Sequence, residues 1–537
     1  MMKHFILMSV HPSSSFTAQS FNEIMIQLII LLTVSVVVAS YAYHKKIPYS
    51  LPLVIIGLVL GMLNLPIIDE SRDFITNSET FQIFVISIFL PALLGEATLK
   101  LPFHHLKENK APILALAIGG TLITYVVIGF ASHYLLEVSV IVAFTFAALM
   151  SPTDPISVLQ IFKPLGVHKR MNAIMEGESL FNDGVGVVLF KISSIYLLVY
   201  MEMGVAGFGQ GLLLFLKFAV GGLVIGLIIG YIGSISIKKI DNYPLEIAIS
   251  IIVFFGSFLI GETVHVSGVI AVVVAGLLFG NYGGKIGMSP VTKLNIYNFY
   301  DVIAFIANSI IFLMVGLEIS RIDVQGKWGM IIISIIIVLI GRSVAVYASL
   351  AWLKEIPSSW KHILNYGGLK GSLSIALALS LPRTFEGREE IIVLTFSVVI
   401  FSLLFQGLTI KSLINKLGII EKQNHIWEYE EVIANLNRSK TSISTWSDMK
   451  EESLLTEKDY QDLVNLENEK LKKYNQALDQ LYSLYPQIKE EQLRDAKRES
   501  LYNQYHELGK LVSKEVISQS ILERKRKEIL EEVENLS

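Results

Sequence analysis

The 537-residue chain contains no cysteine. Disulfides and thiolate metal sites are therefore excluded. Charge is also scarce over most of the length. Residues 1–420 carry 49 Lys, Arg, Asp and Glu side chains, whereas the last 117 residues carry 42. A formal net charge of −3 hides this division. A charge-poor first part, in a chain that is 52% hydrophobic, reads as a membrane domain. The second part reads as a soluble, acidic, helical domain. No good signal peptide precedes them, since Phe5 to Val10 is too short and too weakly basic. No nucleotide-binding loop occurs in the tail, and no nucleic-acid partner is expected. The expected domains are a flexible leader over 1–20, a transmembrane domain over 21–415 and a cytoplasmic charged helical tail over 416–537.

Apolar runs recur at 22–42, 50–63, 80–99, 112–133, 138–161, 171–200, 208–236, 244–261, 266–281, 297–317, 328–353, 361–381 and 391–413. Most approach the ~20 residues that cross the hydrocarbon core as a helix. Lipid cannot satisfy backbone polar groups, so helices are the expected form. The expectation is an all-α polytopic membrane protein of thirteen transmembrane helices. With the N-terminus outside, inner connections hold sixteen Lys and Arg, including Lys45, Lys46, Lys163 and Lys239. Outer segments then hold six: Lys3, Arg72, Arg321, Lys327, Arg383 and Arg388. This bias places the tail in the cytoplasm.

Polar residues inside the apolar runs carry the chemistry. Glu178-Ser179-Leu180-Phe181-Asn182-Asp183-Gly184 lies in the sixth run. A charge at mid-bilayer costs several kcal/mol and by default marks an ion or proton pathway. Asp183 falls about 12 residues from the run's start, roughly 18 Å deep. Ser179 and Asp183 share one helix face; Glu178 and Asn182 share another about 100° away. The alternative is that these acids pair with buried cations, and for Glu178 that is the favoured reading. Ser151-Pro152-Thr153-Asp154-Pro155 interrupts the fifth run, because two prolines three apart cannot both continue a helix. Such a break frees carbonyls and helix ends that transporters use to hold ions. Asp154 can equally cap the half-helix that follows. Arg342 sits midway along the eleventh run. Lys370 sits among glycines in Gly367-Gly368-Leu369-Lys370-Gly371, a weak segment for a helix. The two breaks would then be equivalent elements of inverted repeats. Glu96 is either an interfacial carboxylate or the inner mouth of a pathway. Lys191, toward the outer end of the sixth run, is expected to snorkel.

These residues resemble the monovalent cation:proton antiporter-1 family, which includes the NhaP-type and NHE-type sodium/proton exchangers. The resemblance covers nearly all of 20–415. It rests on Phe89 to Glu96, Thr153-Asp154-Pro155, Glu178 to Gly184, Ser267 to Leu277, Phe312 to Glu318, the Arg342 segment, and Gly367 to Gly371 with Ala376 to Pro382. It implies thirteen helices, two crossing broken helices, a homodimer, and a plasma-membrane antiporter serving pH homeostasis. Asp183 would carry either Na+ or a proton. Asp154, Ser179 and the Thr153 backbone would complete the cation site, and Glu178 would pair with Arg342. Asn182 marks a subgroup that resembles the electroneutral exchangers. The family usually has Arg where Lys370 stands. The expected function is 1:1 sodium/proton exchange by a transporter that is no enzyme and takes no cofactor. Its cargo would be Na+ or Li+, possibly K+, against H+. Potassium/proton exchange, a channel and an intramembrane aspartyl protease are the other readings. The last lacks support, since no Gly-Asp dipeptide occurs.

Overall fold

The computed structural model describes residues 18–45, 49–63, 85–155, 158, 159, 162, 165–238, 240, 242–288, 290–319, 326–382, 384–419, 424–513 and 516–535. Most of the leader lies outside these residues. So do the start of the third apolar run and Lys3, Lys46, Arg72, Lys163, Lys239, Arg321 and Arg383 of the orientation argument. The chain divides into two units, Met1–Ile420 and Glu421–Ser537.

The first unit is built of helices joined by short non-helical stretches among its described residues. Its principal helices are α1 (Ala18–Lys45), α2 (Ser50–Met62), α3 (Leu90–Lys100), α4 (Lys110–Leu135), α5 (Val140–Met150), α6 (Lys169–Lys191) and α7 (Val205–Lys238). There follow α8 (Tyr243–Thr263), α9 (Gly268–Leu278), α10 (Pro290–Ile319), α11 (Trp328–Ser349), α12 (Ser358–Tyr366), α13 (Ser372–Leu379) and α14 (Arg388–Leu417). Among the described residues, nine helices are long and apolar enough to cross a membrane. Helices α2 and α5 are apolar but shorter.

Two kinds of helix are distinguishable by what they bury. Helix α7 presents Leu213, Val220, Leu227 and Ile228 to its surroundings, as a helix facing hydrocarbon should. Helix α5 is capped by the Ser139 hydroxyl, and nearly every residue from Ile141 to Met150 is buried. A short helix apolar on all sides must lie inside a bundle. Helix α2 joins α10 through Gly57 and Gly316, where a methyl group on either would overlap the other helix's backbone. Small residues allow this close approach, which membrane helices use in place of a hydrophobic driving force.

Both predicted breaks occur. After α5 the chain leaves helical geometry over 151–155, and Val158 and Leu159 are helical. The twelfth apolar run divides into α12 and α13, with Gly367 to Gly371 non-helical between them.

The second unit consists of α15 (Asn424–Glu451), α16 (Glu457–Leu484), α17 (Pro486–Ser513) and α18 (Gln519–Asn535). Thr456 opens α16 by accepting from the Asp459 amide at 3.2 Å. Helices α15 and α16 pack together, as do α17 and α18. Ser439 donates to Glu467 at 2.7 Å between the first pair. Leu501, Tyr505 and Ile529 form a small core in the second.

Candidate functional site: two helix breaks beside an acidic cavity

The breaks meet. The Asp154 amide donates to the Leu369 carbonyl at 2.8 Å, completing part of each break's backbone hydrogen bonding with the other. Lys370 is 2% exposed, and its Nζ donates to the Pro152 carbonyl at 3.1 Å. That carbonyl follows the C-terminal end of α5, where the helix dipole is negative. Conversely, Gly371 precedes α13, and a methyl group there would overlap the Asp154 carboxyl. The carboxylate therefore faces the positive end of a half-helix. Ser374 of α13 donates to the Leu149 carbonyl at 2.7 Å, capping α5 from across the gap. The C-terminal end of α5 thus has a cation and a donor beside it, and the N-terminal end of α13 has a carboxyl.

Helix α6 fastens the first break. Ser179 donates to the Thr153 carbonyl at 2.6 Å. Asn182 is fully buried; its Nδ2 donates to Thr153 Oγ1 at 2.9 Å and its Oδ1 accepts from the Thr153 amide at 3.4 Å. Asn182 therefore orients Thr153 through both ends of its amide. Helices α11 and α14 fasten the second break. Arg342 donates to Glu178 at 2.5 Å and to the Leu364 carbonyl at 2.9 Å. Ser402 accepts from the Lys370 amide at 3.0 Å, and Gln406 donates to the Tyr366 carbonyl at 3.2 Å. Glu178 and Arg342 are 2% and 4% exposed, so this ion pair is inside the bundle.

Asp183 and Asp154 line one cavity of about 540 Å³ with Thr153, Ser179, Glu176 and Glu96. Lys100 and Asp301 line its exposed end, where Lys100 pairs with Glu96 at 2.7 Å and also with Asp301. A cation entering there meets carboxylates from mouth to base. Among the described residues no group of three or more His, Asp or Glu is arranged to hold a metal ion. The candidate ligands are two carboxylates with neutral oxygens of Thr153 and Ser179.

The structure brings Thr153, Asp154, Ser179, Asn182, Asp183 and Lys370 to the crossing. Glu178 and Arg342 lie behind it, and Glu96 stands at the mouth. Lys191 has a partner that the snorkelling expectation does not name: its Nζ donates to both carboxylate oxygens of Glu262, at 2.7 and 2.6 Å. Glu262 lies just beyond the predicted eighth run, and no local signal joins it to a lysine 71 residues away. Sequence reasoning also misses Asp301, although an acid inside the run 297–317 is the same signal that singles out Asp183.

The family described as "Sodium/hydrogen exchanger, transmembrane" matches residues 28–416. The chain is 50% identical over 499 residues to the Na(+)/H(+) antiporter NhaG of Bacillus atrophaeus, covering 93% of this chain and 95% of that one. It is 59% identical over 399 residues to the Na(+)/H(+) antiporter NhaH of Halobacillus aidingensis, covering 74% and 99%. The fold is similar to that of the sodium proton antiporter MjNhaP1 from Methanocaldococcus jannaschii at pH 8. The TM-score is 0.61 with 21% identity, over 74% of this chain and 100% of that one. The chain belongs to the sodium/hydrogen exchanger family.

Proposed function

We propose that the chain is a Na+/H+ antiporter in which cation and proton compete for Asp183. One observation carries this reading. The cavity that begins at exposed Lys100 and Asp301, beside partly buried Glu96, ends at Asp183 and Asp154, beside the crossed breaks. The relatives' names supply the ions. Asp154, Ser179 and Thr153 complete the cation site around Asp183. Asn182 positions Thr153, Glu178 and Arg342 brace the bundle, and Lys370 holds the Pro152 carbonyl.

Coupling follows from charge. Empty and ionised, Asp183 is costly to carry through a low-dielectric barrier. Loaded with Na+ or a proton it is neutral, and the bundle can turn its opening to the other face. A single carboxylate that takes one or the other gives 1:1 exchange without net charge. Li+ fits the same oxygen set. The reading extends to thirteen spans and to inverted repeats that make the two breaks equivalent. It also takes a homodimer in the plasma membrane, with the N-terminus outside and the tail in the cytoplasm. This is a transporter without a cofactor.

The test uses proteoliposomes under a sodium or pH gradient. The unaltered protein exchanges Na+ for H+, and Asp183→Asn abolishes it. Exchange that persists in Asp183→Asn refutes the assignment. Net charge movement driven by membrane potential refutes 1:1 stoichiometry.

A further inference from the structure

Lys191 and Glu262 take no part in the cavity. Lys191 lies eight residues and about 12 Å beyond Asp183, and helical geometry runs on past it to Glu202. Glu262 is on the last turn of α8, and its Oε1 also accepts from the Gly268 amide at 3.2 Å. The carboxylate is therefore fixed to the α8–α9 turn while it grips α6 at Lys191. Between this pair and Asp183 the packing is apolar. Val188 and Ile192 cluster with Phe218 of α7, flanked by Leu214, Phe215 and Ile270. The Ser267 amide donates to the Phe218 carbonyl at 3.2 Å, tying α7 to the same turn. On α6 the cavity touches Glu176, Ser179, Leu180 and Asp183, and no residue further along. Access to Asp183 thus comes from one end, and the opposite half of α6 is sealed against α7, α8 and α9.

We propose that the Lys191–Glu262 ion pair is the latch of the closed face, holding α6 against the α8–α9 turn until the opening changes sides. The proposal rests on the antiport reading above. If Asp183 is to be reached from the other face, the Val188–Phe218–Ile270 contact must part. The ion pair joins the same two sides further out, so it must part as well. Its exposure suits a latch. Lys191 is 27% and Glu262 36% exposed, so the pair is not enclosed by protein as Glu178 and Arg342 are. A half-exposed pair contributes modestly to stability and breaks reversibly. A fully buried pair such as Glu178–Arg342 resists opening, because separation strands a charge.

The absence of cysteine makes the test direct, because a single introduced cysteine is the only thiol. Two reporters are placed separately in full-length protein of known orientation in vesicles. Val188→Cys probes the seal, and Ala304→Cys probes the cavity wall. Each is treated with a membrane-impermeant thiol reagent from its own side. Adding Glu262→Gln or Lys191→Gln should speed modification of the Val188→Cys reporter about three- to tenfold, as expected for loss of a modest pair. The Ala304→Cys reporter should slow in the same proteins. Lys191→Arg should restore the slow rate at the seal. An unchanged rate at the seal in both single variants overturns the latch. So does acceleration of both reporters together, which signals loosened packing rather than a changed opening. Sodium/proton exchange by the unaltered protein is measured in the same vesicles. Its absence overturns the antiport reading, while the labelling rates still judge the latch.

Discussion

The amide of Asp154 and the carbonyl of Leu369, 2.8 Å apart, join two interrupted helices through their backbones. Neither break has water-facing alternatives for all its polar groups, so each satisfies part of the other. Displacing one break without the other would strand those groups. The contact thus ties the two breaks together, with Asp154 and Lys370 beside it.

Gly371→Ala tests that closeness. The added methyl group would overlap the Asp154 carboxyl, and overpacking of this kind costs about 1–3 kcal/mol. Exchange in vesicles should fall at least about tenfold, the equivalent of ~1.4 kcal/mol. Activity within a factor of two of the unaltered protein would show that Asp154 has room to retreat.

Arg342→Met should destabilise the bundle by about 3–5 kcal/mol, because Glu178 is left as an uncompensated buried charge. Glu178→Met combined with Arg342→Met should recover much of that loss. It should not recover all of it, since the Leu364 carbonyl also loses its donor. Thermal unfolding in detergent measures both proteins. A double variant no more stable than Arg342→Met would mean that the stranded charge is not what weakens the bundle.

Lys370→Met removes the donor to the Pro152 carbonyl and should cost about 1–3 kcal/mol, with loss of exchange. Lys370→Arg keeps a cationic donor at the position and should retain exchange. Equal activity of the Met and Arg variants would separate this residue from transport.

In the second unit, the Ser439 hydroxyl, followed by Lys470, holds the Glu467 carboxyl below its ordinary range. A depressed folded value adds stability above the unfolded value, and that stability is lost as pH falls through the folded one. Glu467→Gln should therefore lower the thermal stability of the tail helices at pH 7, and the difference should shrink on acidification. Circular dichroism at both ends of that range checks it. A difference that is constant with pH would assign the effect to packing.

Much of the site could be read from the sequence because its signals are local. Pro152 and Pro155 interrupt a helix wherever they stand, and Gly367, Gly368 and Gly371 weaken one. Asp183 is conspicuous because its neighbours are apolar. The partners were less legible. Ser402 and Gln406 are ordinary polar residues until α14 sets them against the second break. Lys191 looks like an interfacial lysine until α8 folds back with Glu262. Lys100 and Glu96 are one turn apart and could be paired by spacing alone, whereas Asp301 joins them only through tertiary packing.

The glycine contact between α2 and α10 has a mechanical consequence. Helix α10 supplies Asp301, Ala304, Phe305 and Asn308 to the cavity, and at Gly316 it rests directly on the backbone of α2. Peptide groups in contact have no rotamers to yield. That side of the chamber behaves as a rigid rail, and any widening to pass a hydrated ion must be supplied by the opposite side, where α6 and α13 meet it.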